Sequence, residues 1–303
     1  MDFSDVSLVA LRVFREVAER GTFTAAATAL GYTQSAVSRQ IASIERAAGT
    51  QLLERRREGV QLTPAGQLVL RSAAEVLDQI DTTARELAGL PVEGGTVRLG
   101  WFPSAGAVLL PLAITGLRRS HPGLTVVSRE GTTPALVRSL RAGTIELAVL
   151  AAAPPFRPPD SETPAIKVET LAERPLRLAV PANHPFAAAS TVDVSELRGQ
   201  RWIASPSADL MGVWPGLDER PEISHTVRDW LAKLHLVAAG AGITTVSASL
   251  AAAAPPGVRV IAVRGGPREL RRVILARLPG RLSEPAAAVA EALRAAAREM
   301  APG

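Results

Sequence analysis

Residues 25–66 read AAATALGYTQSAVSRQIASIERAAGTQLLERRREGVQLTPAG, and the punctuation of this stretch decides the fold of the N-terminal region. Gly31 ends a short helix, Ala25 to Leu30, for which Thr22 and Thr24 are alternative N-caps. Thr33 caps a second helix, Gln34 to about Ala48, and Gly49 stops it. Val37, Ile41 and Ile44 form one apolar stripe on that helix, and Gln34, Ser35, Ser38, Arg39 and Ser43 lie away from it. Two helices joined by a tight glycine-containing turn match a helix-turn-helix. Leu52-Leu53, then ERRREG, then Val60-Gln61-Leu62 read as a hairpin with a basic tip, a wing.

Working outward, Leu8, Leu11, Phe14, Val17 and Ala18 recur at helical spacing before the stop at Gly21. Downstream, Thr63-Pro64 starts a helix expected to reach about Leu90. Leu70, Leu77 and Ala84 repeat every seven residues, and so do Ala73, Ile80 and Leu87, offset by three. That is an a/d seam. The stripe could pack on its own domain or pair with a second copy. A long helix between two domains has little else to cover it, which favours dimerisation. After Gly94-Gly95 the pattern changes to β-α-β-α-β: TVRLGW, a helix from Val108 to Arg119, LTVVSRE, a helix from Pro134 to Ala142, and IELAVLA. This argues for a parallel sheet with right-handed crossovers. APPFRPPD closes that lobe, and a second α/β lobe follows: PLRLAVP, WIAS, a helix from Val227 to Ala239, GITTV and VRVIAV. LRRVILARL reads as a late strand and Pro285 to Glu299 as the last helix.

The composition permits this plan and excludes others. The 303 residues are 47% hydrophobic with a mean hydropathy of +0.16, enough apolar surface for two or three domains and too much for a disordered chain. Zero cysteines exclude a disulfide scaffold, a thiolate metal site and a catalytic thiol. No signal peptide and no membrane-length apolar run is present, so a cytoplasmic protein without a membrane partner is expected. The pI of about 10.7 invites a nucleic-acid reading, yet residues 1–92 carry a net charge of −1. Local clustering is more telling. Residues 31–71 hold six Arg against three Glu, with Arg55, Arg56 and Arg57 consecutive, and the whole chain has only two lysines.

The quoted stretch resembles the winged helix-turn-helix of LysR-type transcriptional regulators. The family pattern runs AA-x-x-L, Q-[SP]-x-[VL]-S-[RK]-x-I, L/I-E-x-x-x-G, LF-x-R and LT-x-x-G. Ala25-Ala26 or Ala26-Ala27, Leu30, Gln34, Ser38, Arg39, Ile41, Glu45, Gly49, Arg55, Leu62, Thr63 and Gly66 fall where that pattern has them. Leu53 stands where Phe is usual, a difference of packing. The resemblance implies a multidomain α and α/β protein. Residues 1–63 would form the winged helix-turn-helix, and 64–91 a long dimerising linker helix. Residues 94–303 would form a two-lobed, periplasmic-binding-protein-like effector domain, with lobe one at about 94–165 and 266–303 and lobe two at about 166–265.

The chemistry of the motif agrees. Gln34 can bridge adenine N6/N7 and Arg39 guanine O6/N7 from a helix in the major groove. Ser35 and Ser38 can reach base edges or phosphates, and Thr24 and Thr33 place hydroxyls at helix starts. Arg55, Arg56 and Arg57 suit the minor groove or flanking phosphates. The resemblance further implies a homodimer or homotetramer on dyad-symmetric double-stranded DNA, contact with RNA polymerase if the protein activates, and a small-molecule effector held between the lobes. Ser104 and Thr132 match positions where the family holds its effector, with Ser205 from lobe two, and Phe102 beside them. Both Ser104 and Thr132 read as residues at helix starts, where an anionic group is favoured. With Trp101 and Phe102 close by, a carboxylate with an apolar body is expected. The same two hydroxyls could equally be plain N-caps. No metal or cofactor is expected: His121, His184, His225 and His235 lack metal spacing, and GAGITT at 240–245 is an incomplete dinucleotide fingerprint. No G-x-S-x-G or P-loop supports an enzyme. A small-molecule binding or transport protein is the alternative, and it leaves residues 1–90 unexplained.

Overall fold

The computed structural model describes residues 3–56, 59–87, 94–206, 211–217 and 220–300. At the N-terminus, α1 (Leu8–Arg20) is capped by Ser7 and closed by Gly21 in the left-handed conformation. The cap of α2 (Phe23–Leu30) is Thr22, whose hydroxyl accepts the Ala25 N–H at 3.1 Å, and Thr24 lies inside the first turn. Thr33 caps α3 (Gln34–Ala48). The wing is the antiparallel pair β1 (Leu53–Arg56) and β2 (Gly59–Leu62), in register from Leu53↔Leu62 to Arg56↔Gly59. Arg57 lies outside the described residues.

Three motif residues turn out to be braces of this unit. Glu45 on α3 accepts the N–H groups of Leu52 and Leu53 at 2.9 and 3.2 Å, tying the helix to the wing. The Thr63 hydroxyl donates to the Gln51 carbonyl at 2.8 Å and accepts the Gly66 N–H at 3.0 Å, so it opens α4 (Pro64–Leu87) while holding the chain before the wing. Gly66 must lack a side chain, because a Cβ there would stand 2.0 Å from the Leu52 carbonyl oxygen.

The buried face of α4 settles its packing. Leu70, Ala73 and Leu77 are almost completely buried in one core with Phe14 and Val17 of α1, Val37, Ile41 and Ile44 of α3, and Leu52. The expected seam is therefore corrected: these three residues cover their own domain. The outward face carries exposed Val76 and Leu87, the second 85% exposed, with Ile80 half-buried and Ala84 exposed beside them. Val69 still packs against the core, whereas Val76 and Thr83, and Ile80 and Leu87, are spaced by seven, so a short heptad stripe exists on the side away from it.

The C-terminal part holds β3 (Thr96–Trp101), α5 (Leu109–Ser120), β4 (Thr125–Glu130), α6 (Thr133–Arg141), β5 (Leu147–Ala152) and β6 (Lys167–Pro181). Next come β7 (Thr191–Asp193), β8 (Arg201–Ala204), β9 (Glu222–Thr226), α7 (Trp230–Ala238), β10 (Thr244–Ser247), β11 (Val258–Arg264), β12 (Leu270–Arg277) and α8 (Glu284–Glu299). The sheet path is β4-β3-β5-β12-β6-β11-β7, with β10 also on β6. β3 runs parallel to β4 and β5, and β12 returns antiparallel between β5 and β6. β6 belongs to both lobes. Its residues 167–175 pair with β12, and residues 176–181 with β10 and β11. Lobe two accordingly begins inside this strand, later than the expected 166.

Lobe one is docked on the N-terminal domain. Ala142, just after α6, enters the core of the winged unit. Glu19 of α1, buried, pairs with Arg129 of β4 and accepts the Ser139 hydroxyl at 3.2 Å, while Arg138 donates to the Glu19 carbonyl at 3.1 Å. Asp78 of α4 pairs with Arg98 of β3 and lies 3.7 Å from Arg15. No described helix is long and apolar enough to cross a membrane.

The assignment of the two faces of α4 has a direct check. Leu77→Ala removes a fully buried side chain and should destabilise the protein by about 2–5 kcal/mol. Glu75→Ala on the exposed face should stay within about 0.5 kcal/mol. Urea unfolding of both variants reads the difference, and equally small effects would place Leu77 outside the core.

Candidate functional site

The recognition helix is set by what it buries. With Val37, Ile41 and Ile44 turned into the core, Gln34, Ser35 and Arg39 are exposed and Ser38 is half-buried on the outward side of α3. The Thr33 hydroxyl accepts the Ala36 N–H at 3.2 Å and lies 3.0 Å from the Ser35 hydroxyl, so the first turn presents a hydroxyl pair. Thr24 is exposed on α2. On the wing, the Arg55 guanidinium stands 5.2 Å from the Phe23 ring centroid, a cation–π contact that orients it. Arg56 is exposed and pairs with Glu54. Sequence reasoning missed Tyr32, 47% exposed immediately before Thr33, and missed Phe23 as the support of Arg55. An aromatic residue on the solvent side of a turn was the available signal for Tyr32.

The proposed effector residues sit at carboxyl ends of parallel strands, where open α/β sheets place their ligands. Ser104 follows β3, Thr132 follows β4 and Ser205 follows β8, which pairs in parallel with β9. Of the two expected at helix starts, only Thr132 is a cap. Thr132 is the N-cap of α6, its hydroxyl 3.4 Å from the Ala135 N–H. Ser104 caps nothing: it lies within the 3-10 turn Pro103–Ala107, whose cap position is Phe102, and its hydroxyl forms no hydrogen bond among the described residues. Phe102 packs half-buried against the lobe-one core. Beside it the Trp101 indole N–H is buried without a partner among the described residues.

Ser205 has a neighbour that the sequence barely singles out. Its hydroxyl accepts from the Lys233 ammonium at 2.8 Å. Lys233 is 8% exposed on α7, and burial pushes its pKa down to about 8. The only hint in the sequence is a lysine set among apolar residues in a chain that otherwise uses arginine. Among the described residues no group of His, Asp or Glu is arranged to hold a metal ion.

Known proteins share both halves of this arrangement. Residues 8–67 match the description "Bacterial regulatory helix-turn-helix protein, lysR family", and residues 92–298 match "LysR substrate binding domain". The chain belongs to the LysR family of transcriptional regulators. It is 32% identical over 259 residues to the HTH-type transcriptional regulator TfdS of Cupriavidus pinatubonensis, covering 83% of this chain and 85% of that one. It is 34% identical over 193 residues to a probable hydrogen peroxide-inducible genes activator of Mycobacterium avium, and that match spans 60% of the relative's length. The crystal structure of full-length CbnR complexed with its target DNA superposes with a TM-score of 0.54 at 26% identity, over 96% of this chain and 99% of that one.

The buried lysine makes a pH-dependent contribution with a definite sign. Its folded pKa of about 8 lies below the ordinary 10.5, so between these values the unfolded chain binds more protons and stability rises with pH. The stability of the wild type relative to Lys233→Met should therefore climb on going from neutral pH to about 10. A pH-independent difference in urea titrations would mean that Lys233 is hydrated in the folded state.

Proposed function

We propose that this chain is a sequence-specific DNA-binding transcriptional regulator whose operator binding or promoter activation responds to a small-molecule effector. The observation that carries the reading is the outward face of α3, where Gln34, Ser35, Ser38 and Arg39 are displayed together and flanked by Arg55 and Arg56 on the wing. α3 enters the major groove, Arg39 and Gln34 read base edges, and the wing arginines with Thr24 and Thr33 hold the backbone. The outward stripe of α4, with Val76, Ile80 and Leu87, joins two copies, so that two recognition helices meet the halves of a dyad-symmetric operator. A tetramer doubles that arrangement, and an activating complex contacts RNA polymerase.

The effector lies between the lobes, at Ser104, Thr132 and Ser205 beside Phe102, and the favoured class is a carboxylate with an apolar body. The peroxide response in the Mycobacterium avium relative's name is not carried over. Sensing through a thiolate needs a cysteine, and this chain has none. Catalysis forms no part of the reading.

Binding of the chain to its own upstream DNA tests the assignment of roles. Arg39→Ala should cost about 1–3 kcal/mol on specific DNA and relax base preference at one position per half-site. Arg56→Ala should weaken specific and scrambled DNA alike and flatten the salt dependence. Equal losses on both DNAs for Arg39→Ala would take Arg39 off the base edges.

A further inference from the structure

The turn that leads into the recognition helix displays an aromatic side chain that the fold does not use. Tyr32 is the chain's one tyrosine, set between Gly31, which closes α2, and Thr33, which caps α3. It is 47% exposed, and among the described residues it joins no apolar cluster. Its hydroxyl forms no hydrogen bond among the described residues. The backbone beneath it is fixed. The Tyr32 N–H donates to the Ala27 carbonyl at 2.9 Å, Gly31 is left-handed at φ 67°, and Thr33 is extended.

Docking geometry says what lies in front of such a residue. In a helix-turn-helix the first helix crosses the phosphate backbone, and the second inserts its N-terminal residues among the base edges. The residue that joins them therefore passes the lip of the major groove, over the sugar–phosphate chain. Thr33 and Ser35, whose hydroxyls are 3.0 Å apart, stand on the turn that follows, with Gln34 exposed between them. Residues 20–44 contain no Asp or Glu, so the local sequence sets no carboxylate against a polyanion. Tyrosine suits that place. It offers a neutral hydroxyl donor on a stiff ring, which loses little rotamer freedom on contact and extends past the short Thr33 and Ser35 side chains.

We propose that Tyr32 is a further DNA contact, whose hydroxyl donates to one backbone phosphate per half-site while its ring lies against the adjoining sugar. It holds the first turn of α3 in register on the backbone and reads no base. The proposal rests on the reading that α3 enters the major groove, and it adds a positioning contact to the residues given there. A neutral donor has a signature of its own. An arginine on a phosphate displaces condensed counterions and steepens the salt dependence, whereas a phenol does not. A side chain on a base edge sets base preference, whereas one on a phosphate does not. Loss of the Tyr32 hydroxyl should therefore lower affinity and leave both other quantities alone.

Binding of the full chain to its own upstream DNA, combined with phosphate ethylation interference, tests this. Tyr32→Phe should weaken binding roughly tenfold, with the salt slope, base preference and Tm of the wild type. Ethylation of one phosphate per half-site should interfere with the wild type more than with Tyr32→Phe. Nitration by tetranitromethane gives a second readout, because one tyrosine reacts and bound DNA should shield it. Unchanged affinity, an unchanged interference pattern, or nitration at the same rate with DNA bound overturns the proposal. So does a changed base preference in Tyr32→Phe, which would move the side chain from a phosphate to a base edge. If Arg39→Ala still relaxes base preference in those cases, the recognition helix keeps its role and Tyr32 alone loses its place. A wild type that does not prefer its upstream DNA to scrambled DNA removes the reading beneath, and the proposal with it.

Discussion

The structure depends on the burial of Leu70, Ala73 and Leu77 beneath α1. These residues make the linker helix a wall of the DNA-reading unit, in the same core as Val37, Ile41 and Ile44 of the recognition helix. α3 therefore cannot turn relative to α4 without opening that core, and packed interiors resist such rearrangement. The opposite side of α4 carries a short apolar stripe whose Val76 and Leu87 are exposed among the described residues. One helix thus fixes the aim of the reading head and offers the surface on which two heads can be paired.

Charge connects this unit to the ligand-holding lobe. Glu19 is held by Arg129 and Ser139, and both lie on the connection that carries Thr132: β4 ends at Glu130, and Thr132 caps α6. A ligand that moves the start of α6 would act on the same helix whose far half touches α1. Asp78 and Arg98 make a second tie, from α4 to β3, the strand that leads to Ser104. Breaking one partner of such a pair leaves a charge without compensation, so these contacts favour movement of lobe one and the reading head as one body. The shared strand β6 lets lobe two follow separately, because its two halves pair with different neighbours.

Much of this was legible in the sequence, and the failures have physical causes. The helix-turn-helix was readable because each helix there has its own cap, its own glycine stop and an unambiguous apolar stripe. The strands TVRLGW, LTVVSRE and IELAVLA were readable as compact runs between helical patterns. The linker helix was placed correctly and its faces were not. Two heptad series lie side by side on it, and periodicity says that a stripe is buried without saying against what. The first half of β6, KVETLAE, escaped because its first four residues are all exposed, so no alternation of apolar and polar positions marks it as a strand. For Ser104 the sequence leaves an effector contact and a plain helix cap open, because a serine before a helix looks the same whether its hydroxyl bonds the backbone or not. Lys233 and Glu19 escaped for a common reason: a buried charge is recognised by its partners, which in both cases lie far away in sequence.

If the outward face of α3 reads DNA as one of a symmetric pair, hydroxyl-radical footprinting of the full chain on its own upstream DNA should show it. Two protected windows related by a dyad are expected, on one face of the duplex and a whole number of turns apart, at about 10–10.5 base pairs per turn. Uniform protection, or protection no different from that on scrambled DNA, would contradict it.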